Sequence, residues 1–318
     1  MSEVVTAAAR RVTPLSPGEG GAAARSAAPG EGRAIARIVA DYLELSKSRI
    51  VLMVLITTAG GYLLGAAHFD LMLMVNTLIG TALVAAGTNA LNQYVEREHD
   101  GKMRRTSRRP LPDGRMTPRA ALIFSTAVAI IGTAYLVVMV NTLTAVLGAF
   151  TLTSYIFVYT PLKRISTACT IIGAVPGAIP PLMGWTAATG HLSAGGWVLF
   201  GILFFWQLPH FMAISWIYRE DYGRAGYVMT AVSDNDGTAT ARRAILYSLA
   251  LLAVSVMPSF IGMAGLGYLI GSTICGVALL AMSIRFFFDR SNKTAMKLFM
   301  TSNLYLVAMM AMLGFAAR

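Results

Sequence analysis

Long apolar stretches dominate this sequence and follow one another with only short polar breaks between them. Each stretch is close to the ~20 residues that an α-helix needs to cross the hydrocarbon core of a membrane. With 56% hydrophobic and 13% charged residues, the chain is too apolar for an ordinary soluble domain. We therefore predict an all-α fold, a polytopic membrane bundle of nine transmembrane helices. They are placed near 48–67, 71–97, 119–139, 143–160, 168–188, 193–217, 243–263, 267–288 and 295–316.

The basic residues test this helix count independently, because the cytoplasmic loops of membrane proteins collect Lys and Arg. If the N-terminus is cytoplasmic, all but one of the 26 Lys and Arg residues fall in the N-terminal tail, in cytoplasmic loops or at cytoplasmic helix ends. A wrong number of spans would scramble this asymmetry, so we expect nine spans with the N-terminus in the cytoplasm. It also accounts for the net charge of +11, so we expect the lipid bilayer, and no nucleic acid, as a partner.

The first 40 residues differ from the rest, being rich in Ala, Gly, Pro, Ser and Arg without a hydrophobic run long enough for a signal peptide. We predict a disordered tail over residues 1–40 and an intramembrane domain over 41–318. The arginines also allow an organelle-targeting segment, but Glu3, Glu19 and Glu31 count against it, because such segments are poor in acids. The expected location is therefore a bacterial inner (plasma) membrane, with the mitochondrial inner membrane as the alternative.

The most polar break, from Asn92 to Pro118, begins inside an apolar helix pattern and combines acids with bases. If its first part is helical, Asn92, Glu96 and Asp100 recur every four residues and share one face. Arg105 and Arg109 follow directly. Carboxylates and an amide beside a cationic cluster suit a divalent metal and a phosphate group together. A solvated helix end with ordinary charge pairs is the alternative interpretation.

The length of this motif restricts how a metal could bind. At a rise of about 1.5 Å per residue, Asn92 and Asp100 lie roughly 12 Å apart along the helix axis. Magnesium holds its oxygen ligands at about 2.0–2.1 Å, so one ion cannot bind both side chains. Either a polyphosphate bridges two ions, or Asn92 contacts the substrate while the acids hold metal.

Three further polar groups fall at or near the same membrane face. Lys163 and Arg164 follow Tyr159 at the end of the fourth span, where an aromatic interface anchor with cytoplasmic charges is the simple interpretation. His210 interrupts an apolar aromatic helix, and polar groups at membrane depth are costly enough to be functional candidates, although a lone His is often a packing residue. A second acidic pair closes that helix, at Glu220 and Asp221.

Together these motifs resemble a known family. Asn92-x-x-x-Glu96-x-x-x-Asp100 is similar to the first aspartate-rich motif of the UbiA-type intramembrane prenyltransferases, whose nine helices carry polar motifs at the cytoplasmic face. A narrower resemblance, to the protohaem IX farnesyltransferases (haem O synthases), covers roughly residues 45–315. It rests on Asp100-x-x-Met103-x-Arg105-Thr106-x-x-Arg109, Tyr159-Thr-Pro-Leu-Lys163-Arg164, Trp206-Gln-x-Pro209-His210-Phe211 and Glu220-Asp221-Tyr222.

This resemblance implies a reaction in which farnesyl diphosphate alkylates the vinyl group of haem B and water adds, giving haem O and diphosphate for haem-copper oxidase biogenesis. On that basis we expect Mg2+ to be held by Glu96, Asp100 and Asp221. Asn92 and His210 complete the expected catalytic group, with His210 positioning haem as an iron ligand or serving as a proton acceptor. The expected substrate-binding residues are Arg105, Arg109, Tyr159, Lys163, Arg164, Trp206 and Glu220.

Two positions depart from the family pattern. Glu96 stands where Asp is frequent, and Ala225, four residues after Asp221, stands where the broader family has the second acid of a D-x-x-x-D motif. A prenyltransferase with another acceptor, such as a quinone precursor, would use the same diphosphate site. A transporter would also bury a His and an Asn, but its broken helices should meet at the midplane rather than at one face.

A haem A synthase is the expected protein partner.

Overall fold

The computed structural model describes residues 29–316, and within that range every regular element is a helix. Nine of the helices described there are long and apolar enough to cross a membrane, which confirms the predicted count. The spans are α2 (Ser48–Gly65), α3 (Leu71–Asp100), α4 (Pro118–Met139), α5 (Thr142–Thr153) with its continuation to Leu162, α7 (Cys169–Thr189), α8 (Ala194–Ile217), α11 (Thr238–Ser255) with α12 (Met257–Phe260), α13 (Leu266–Phe288) and α14 (Asn292–Ala316).

The fourth span changes its helix type before it ends. After α5 come a π-helical segment, Ser154–Tyr159, and the short α6, Thr160–Leu162. Such wide turns are rare and occur frequently at functional sites. Two further short helices, α9 (Arg219–Arg224) and α10 (Thr230–Ser233), lie in the connection between α8 and α11.

Residues 29–40, which the sequence analysis places in a disordered tail, are helical and belong to α1, Pro29–Leu45. Ile35, Ile38, Val39 and Leu43 recur at helical spacing and are all exposed. This pattern is typical of an amphipathic helix whose apolar side lies in a membrane interface. The first part of the predicted tail, residues 1–28, lies outside the described range, so the domain division near residue 40 stays a prediction.

The core of the bundle is built around α7, because 72% of the residues in its apolar 18-residue stretch are buried. This helix contacts α2 and α8, and glycines allow the backbones of α2 and α7 to touch. A Cβ atom built on Gly61 would lie 1.9 Å from the Pro181 carbonyl oxygen, and one built on Gly184 would lie 1.9 Å from that of Thr58. No side chain fits at either position without moving a helix.

We expect Gly61→Ala and Gly184→Ala each to lower the melting midpoint of the protein in a fixed detergent. Overpacking of this kind costs about 1–3 kcal/mol, because the obstructing atom is backbone and cannot rotate away. Gly267→Ala in α13 is the matched control, since a Cβ there meets no described atom within 4 Å. Equal midpoints for all three variants would contradict the close approach of α2 and α7.

The polar connections between the spans meet at one end of the bundle. The segments 101–117, 163–168 and 218–237 lie there, together with the junction between α1 and α2. The turns at the opposite end are shorter, such as residues 66–70 and 190–193. The polar end therefore has enough chain to build a site over the ends of the helices.

Candidate active site

A cavity of about 290 Å³ lies at the polar end of the bundle. Its wall contains eight of the residues expected from the sequence, and they come from α3, the segment after it, the π-helical segment, residue 163 and α8. These eight are Asn92, Glu96, Asp100, Arg105, Arg109, Tyr159, Lys163 and His210. The helix face predicted from the four-residue spacing is therefore the acidic side of one cavity.

Glu96 and Lys163 form a buried ion pair across the cavity wall, with Nζ of the lysine 2.6 Å from Oε1 of the glutamate. Their side chains are only 8% and 12% exposed. Burial lowers the pKa of Lys163, but the Glu96 carboxylate together with Tyr159, Tyr155 and Tyr227 more than offsets burial and holds this pKa well above its ordinary value. The ammonium also lies over the Tyr159 ring, 4.5 Å from its centroid, so a permanent cation is fixed in this wall.

Asp100 ends α3 and has one carboxylate oxygen in use and one free. Its Oδ2 accepts a hydrogen bond from Arg109 at 2.6 Å, and the residue is 1% exposed. Its Oδ1 is buried and has no hydrogen-bond partner among the described residues. A buried carboxylate oxygen without a partner is costly, so this atom suits a ligand that supplies positive charge.

Asn92 uses both ends of its amide group within the protein. Its Oδ1 accepts from Lys47 Nζ at 2.9 Å, and its Nδ2 donates to Thr160 Oγ1 at 3.2 Å. The Thr160 hydroxyl in turn donates to the Tyr155 carbonyl oxygen, which lies five residues earlier in the wide helical turn. Asn92 thus orients a lysine and ties α3 to the π-helical segment.

Lys47 is a cavity residue that the sequence analysis missed. It lies between α1 and α2 with φ 52° and ψ 56°, and no other non-glycine residue in the described range has a positive φ. Gln93 supports this turn by donating to the carbonyl oxygens of Glu44 and Leu45. Burial, followed by the nearby Arg109 guanidinium, lowers the pKa of Lys47 to about 7. A strained backbone of this kind is concentrated at functional sites.

Tyrosines form the other missed part of the wall. Tyr155, Tyr222 and Tyr227 all line the cavity, and the ring of Tyr227 lies 5.7 Å from the Lys163 ammonium. Burial raises the pKa of Tyr227, so its phenol stays neutral beside these charges. In the sequence, Tyr222 stands in the quoted motif Glu220-Asp221-Tyr222, and the spacing of Tyr155 and Tyr159 indicates a shared aromatic face.

The expected magnesium ligands do not form one cluster. Asp221 lies in α9, where it pairs with Arg224 and accepts from the Arg105 backbone N–H at 3.4 Å, and it is absent from the cavity wall. Nowhere in residues 29–316 do three His, Cys, Asp or Glu side chains have the spacing to hold a metal ion. The reason is that each carboxylate already faces a base. A metal would need further ligands, such as phosphate oxygens, beside Asp100 Oδ1.

Three other predicted residues also lie outside the wall. Arg164 and Glu220 are exposed, because each adjoins an inward-facing neighbour on a helical turn and therefore points elsewhere. Trp206 lies behind the wall, one helical turn before His210, and stacks on its ring with 4.9 Å between centroids. The prediction of direct substrate contacts is therefore not supported by the positions of these three side chains.

Comparison with known proteins identifies related sequences over most of this chain. Residues 54–307 match the UbiA prenyltransferase family. A protein of Solibacter usitatus (strain Ellin6076) called "Protoheme IX farnesyltransferase" is 46% identical over 276 residues, which cover 84% of this chain and 94% of that protein. The human "Protoheme IX farnesyltransferase, mitochondrial" is 42% identical over 259 residues, 81% of this chain and 58% of the human protein.

Two solved structures show the same fold at low sequence identity. A structure of digeranylgeranylglyceryl phosphate synthase superposes with a TM-score of 0.75 at 17% identity, covering 88% of this chain and 98% of that one. A UbiA homolog from Archaeoglobus fulgidus, bound to GPP and Mg2+, superposes with a TM-score of 0.61 at 15% identity, covering 87% and 99%.

Proposed function

Because this chain belongs to the UbiA prenyltransferase family, we propose that it transfers the farnesyl group of farnesyl diphosphate to a vinyl group of haem B. Water adds in the same reaction, and the products are haem O and diphosphate. The observation that carries this proposal is the cavity wall, where cations surround two buried carboxylates and one carboxylate oxygen is left without a partner. The names of the relatives that are 46% and 42% identical support the choice of donor and acceptor.

The diphosphate binds among the four cations of the wall. Lys47, Arg105, Arg109 and Lys163 converge on one space from three separate segments of the chain. When the bond between C1 of the farnesyl group and the diphosphate oxygen breaks, negative charge develops on the leaving group. Cations that are already oriented stabilise this charge without reorganisation, and this is the main catalytic contribution of the wall.

The acidic side of the cavity fits magnesium bound together with the diphosphate. Asp100 Oδ1 is the free buried ligand atom, and Glu96 lies one turn away on the same face. Asp221 lies outside the wall and would have to leave its pair with Arg224 to join them. Bound Mg2+ would neutralise part of the leaving-group charge. The UbiA homolog from Archaeoglobus fulgidus is bound to GPP and Mg2+, which supports the choice of magnesium as the metal.

The farnesyl end meets the acceptor on the aromatic side of the cavity. Tyr155 and Tyr159 line the cavity on this side, and their rings would stabilise an allylic cation after the diphosphate leaves. The terminal vinyl carbon of haem forms the new bond to C1, and water then attacks the adjacent carbon and loses a proton. His210 positions haem from α8 by binding its iron, since imidazole suits this metal.

The proposed reaction also implies a location in the cell. We infer an inner (plasma) membrane of a bacterium, with the N-terminus and the cavity on the cytoplasmic side, where farnesyl diphosphate and haem B are both available. The product serves the assembly of haem-copper oxidases, so a haem A synthase is the protein partner that would receive it. The domain that carries the activity spans residues 41–318.

Haem analysis in living cells tests this function directly. The chain is expressed in cells that lack their own activity, and extracted haems are separated by chromatography with mass detection, alongside an Asp100→Ala control. We expect haem O only with the intact protein. If only haem B is found although the protein is inserted, the acceptor is wrong, and the same membranes are then tested with quinone precursors.

Lys47→Met is expected to weaken the binding of farnesyl thiodiphosphate, an unreactive analogue, by about 10- to 100-fold. Hydrogen bonds to a charged group contribute about 1.5–3 kcal/mol, and the variant removes one such donor. Binding is measured by calorimetry in detergent. Lys47→Arg should retain most of the affinity.

The affinity for farnesyl thiodiphosphate should change with pH in a defined direction. The cationic form of Lys47 binds the diphosphate, and its pKa of about 7 means that this form is lost as the pH rises through 7. Wild-type affinity should therefore fall between pH 6 and 8.5, whereas Lys47→Arg should show a smaller decrease. A parallel pH profile for both proteins would rule out titration of Lys47 as the cause.

A further inference from the structure

His210 is held in place by residues of α14 rather than by its own helix alone. The Phe299 ring lies 4.8 Å from the imidazole centroid, and Ser302 Oγ lies 2.9 Å from Nδ1. The Trp206 ring stacks on the same imidazole, and its indole N–H donates to the Ser302 carbonyl oxygen at 2.6 Å. Ser302 is thus bonded through its backbone and its side chain to two neighbouring residues of α8.

The hydrogen bonds of Ser302 determine which imidazole nitrogen carries a proton. A serine hydroxyl has one hydrogen, and that of Ser302 is donated to the Phe299 carbonyl oxygen at 2.7 Å. With its hydrogen donated there, the same oxygen accepts from Nδ1–H of His210, and both contacts of the hydroxyl are satisfied at once. A hydroxyl turned toward an unprotonated Nδ1 would leave the contact with Phe299 unmade, so the geometry favours protonation at Nδ1. Ser302 is 0% exposed, which leaves no room for solvent to compete. In a neutral imidazole of this tautomer, Nε2 carries the free electron pair.

The free nitrogen is also the one that can reach a ligand. His210 lines the cavity, while its Nδ1 edge is occupied by Ser302 and both stacking rings cover parts of its surface. The edge that remains for the cavity is the one containing Nε2. A second hydrogen bond of this type is a general way to orient a histidine that binds a metal, and losing it lowers metal affinity about 10- to 100-fold.

We propose that Ser302 is a positioning residue that fixes His210 as the Nδ1–H tautomer, so that Nε2 faces the cavity as the ligand for the iron of the porphyrin acceptor. This inference rests on the proposed function, because it takes haem as the acceptor. It assigns α14 a role in acceptor binding, although Ser302 itself contacts no part of the cavity. The farnesyl diphosphate side of the wall is independent of it.

The test uses the full-length protein in detergent, titrated with ferric haem B and followed by its absorption and electron paramagnetic resonance spectra. We expect wild type to show imidazole coordination and His210→Ala to lose it. Ser302→Ala should bind haem about 10- to 100-fold more weakly, and Ser302→Thr, which keeps the hydroxyl, should restore binding. In turnover assays, Ser302→Ala should raise the KM for haem and leave that for farnesyl diphosphate unchanged.

Ser283→Ala is the matched control, since Ser283 is also 0% exposed and donates its hydroxyl within a helix, to the Leu279 carbonyl oxygen. It should behave as wild type in the titration. Wild-type coordination in Ser302→Ala, or an unchanged spectrum in His210→Ala, would overturn the inference, even if haem O is formed. Conversely, coordination that depends on Ser302 in a protein that forms no haem O would support the positioning of His210 by Ser302 and reject haem as the acceptor of the prenyl group.

Discussion

Replacing Asp100 with Ala is expected to abolish diphosphate release from farnesyl diphosphate, with a loss of at least ~10³-fold in the single-turnover rate. The variant removes the free oxygen Oδ1 and also the partner of Arg109, so both the acidic and the basic side of the cavity change. Loss of one oriented electrostatic group costs about 10²–10³ in rate, and here two are disturbed together. The rate is measured from released diphosphate in detergent at saturating magnesium.

Two controls separate the chemistry from the fold. Asp100→Asn keeps the shape and a hydrogen-bond acceptor but lacks the charge, and it should remain nearly as inactive as Asp100→Ala. Asp113→Ala removes a carboxylate from an exposed pair with Arg115 in the same segment and should keep wild-type activity. A fully active Asp100→Asn variant would show that the charge of this carboxylate is not required.

The largest loss of stability is expected for Lys163→Met. This change leaves the Glu96 carboxylate, of which 8% is exposed, without its partner at 2.6 Å. Breaking a buried ion pair from one side costs about 3–5 kcal/mol, because the remaining charge has lost both water and its counterion. The melting midpoint should fall accordingly, and diphosphate release should be greatly slowed as well, since one of the four cations of the leaving-group site is gone.

The double variant Lys163→Met with Glu96→Gln separates these two effects. Replacing both charges by neutral side chains of similar size can be nearly neutral for stability, so much of the melting midpoint should return. Activity should not return, because neither the cation nor the carboxylate is present. If the two changes lower the midpoint additively instead, the pair is not coupled in the folded protein.

The span count could be predicted because two independent properties agreed, the length of the apolar runs and the one-sided distribution of Lys and Arg. The acidic face of the cavity was also predictable, since Asn92, Glu96 and Asp100 lie on one helix and their spacing alone sets their direction. Residue positions that depend only on spacing within one helix can therefore be predicted from the sequence.

Lys47 could not be predicted in this way. Its importance depends on a left-handed backbone and on a contact with Asn92, which is 45 positions away in the chain. Asp221 illustrates the opposite case, because its motif was visible but its contacts with Arg224 and the Arg105 backbone were not. Both depend on how separate helices pack, which a pattern within one segment cannot contain.

The pairing of opposite charges in the cavity wall has a consequence for how one bound ligand changes the affinity for another. A polyanion that arrives alone takes bases away from Glu96 and Asp100 and leaves those carboxylates buried without counterions, and a dication alone does the same to Lys163 and Arg109. When both arrive, every group exchanges one partner for another. Each ligand therefore increases the affinity for the other, and thermodynamic reciprocity requires the two increases to be equal.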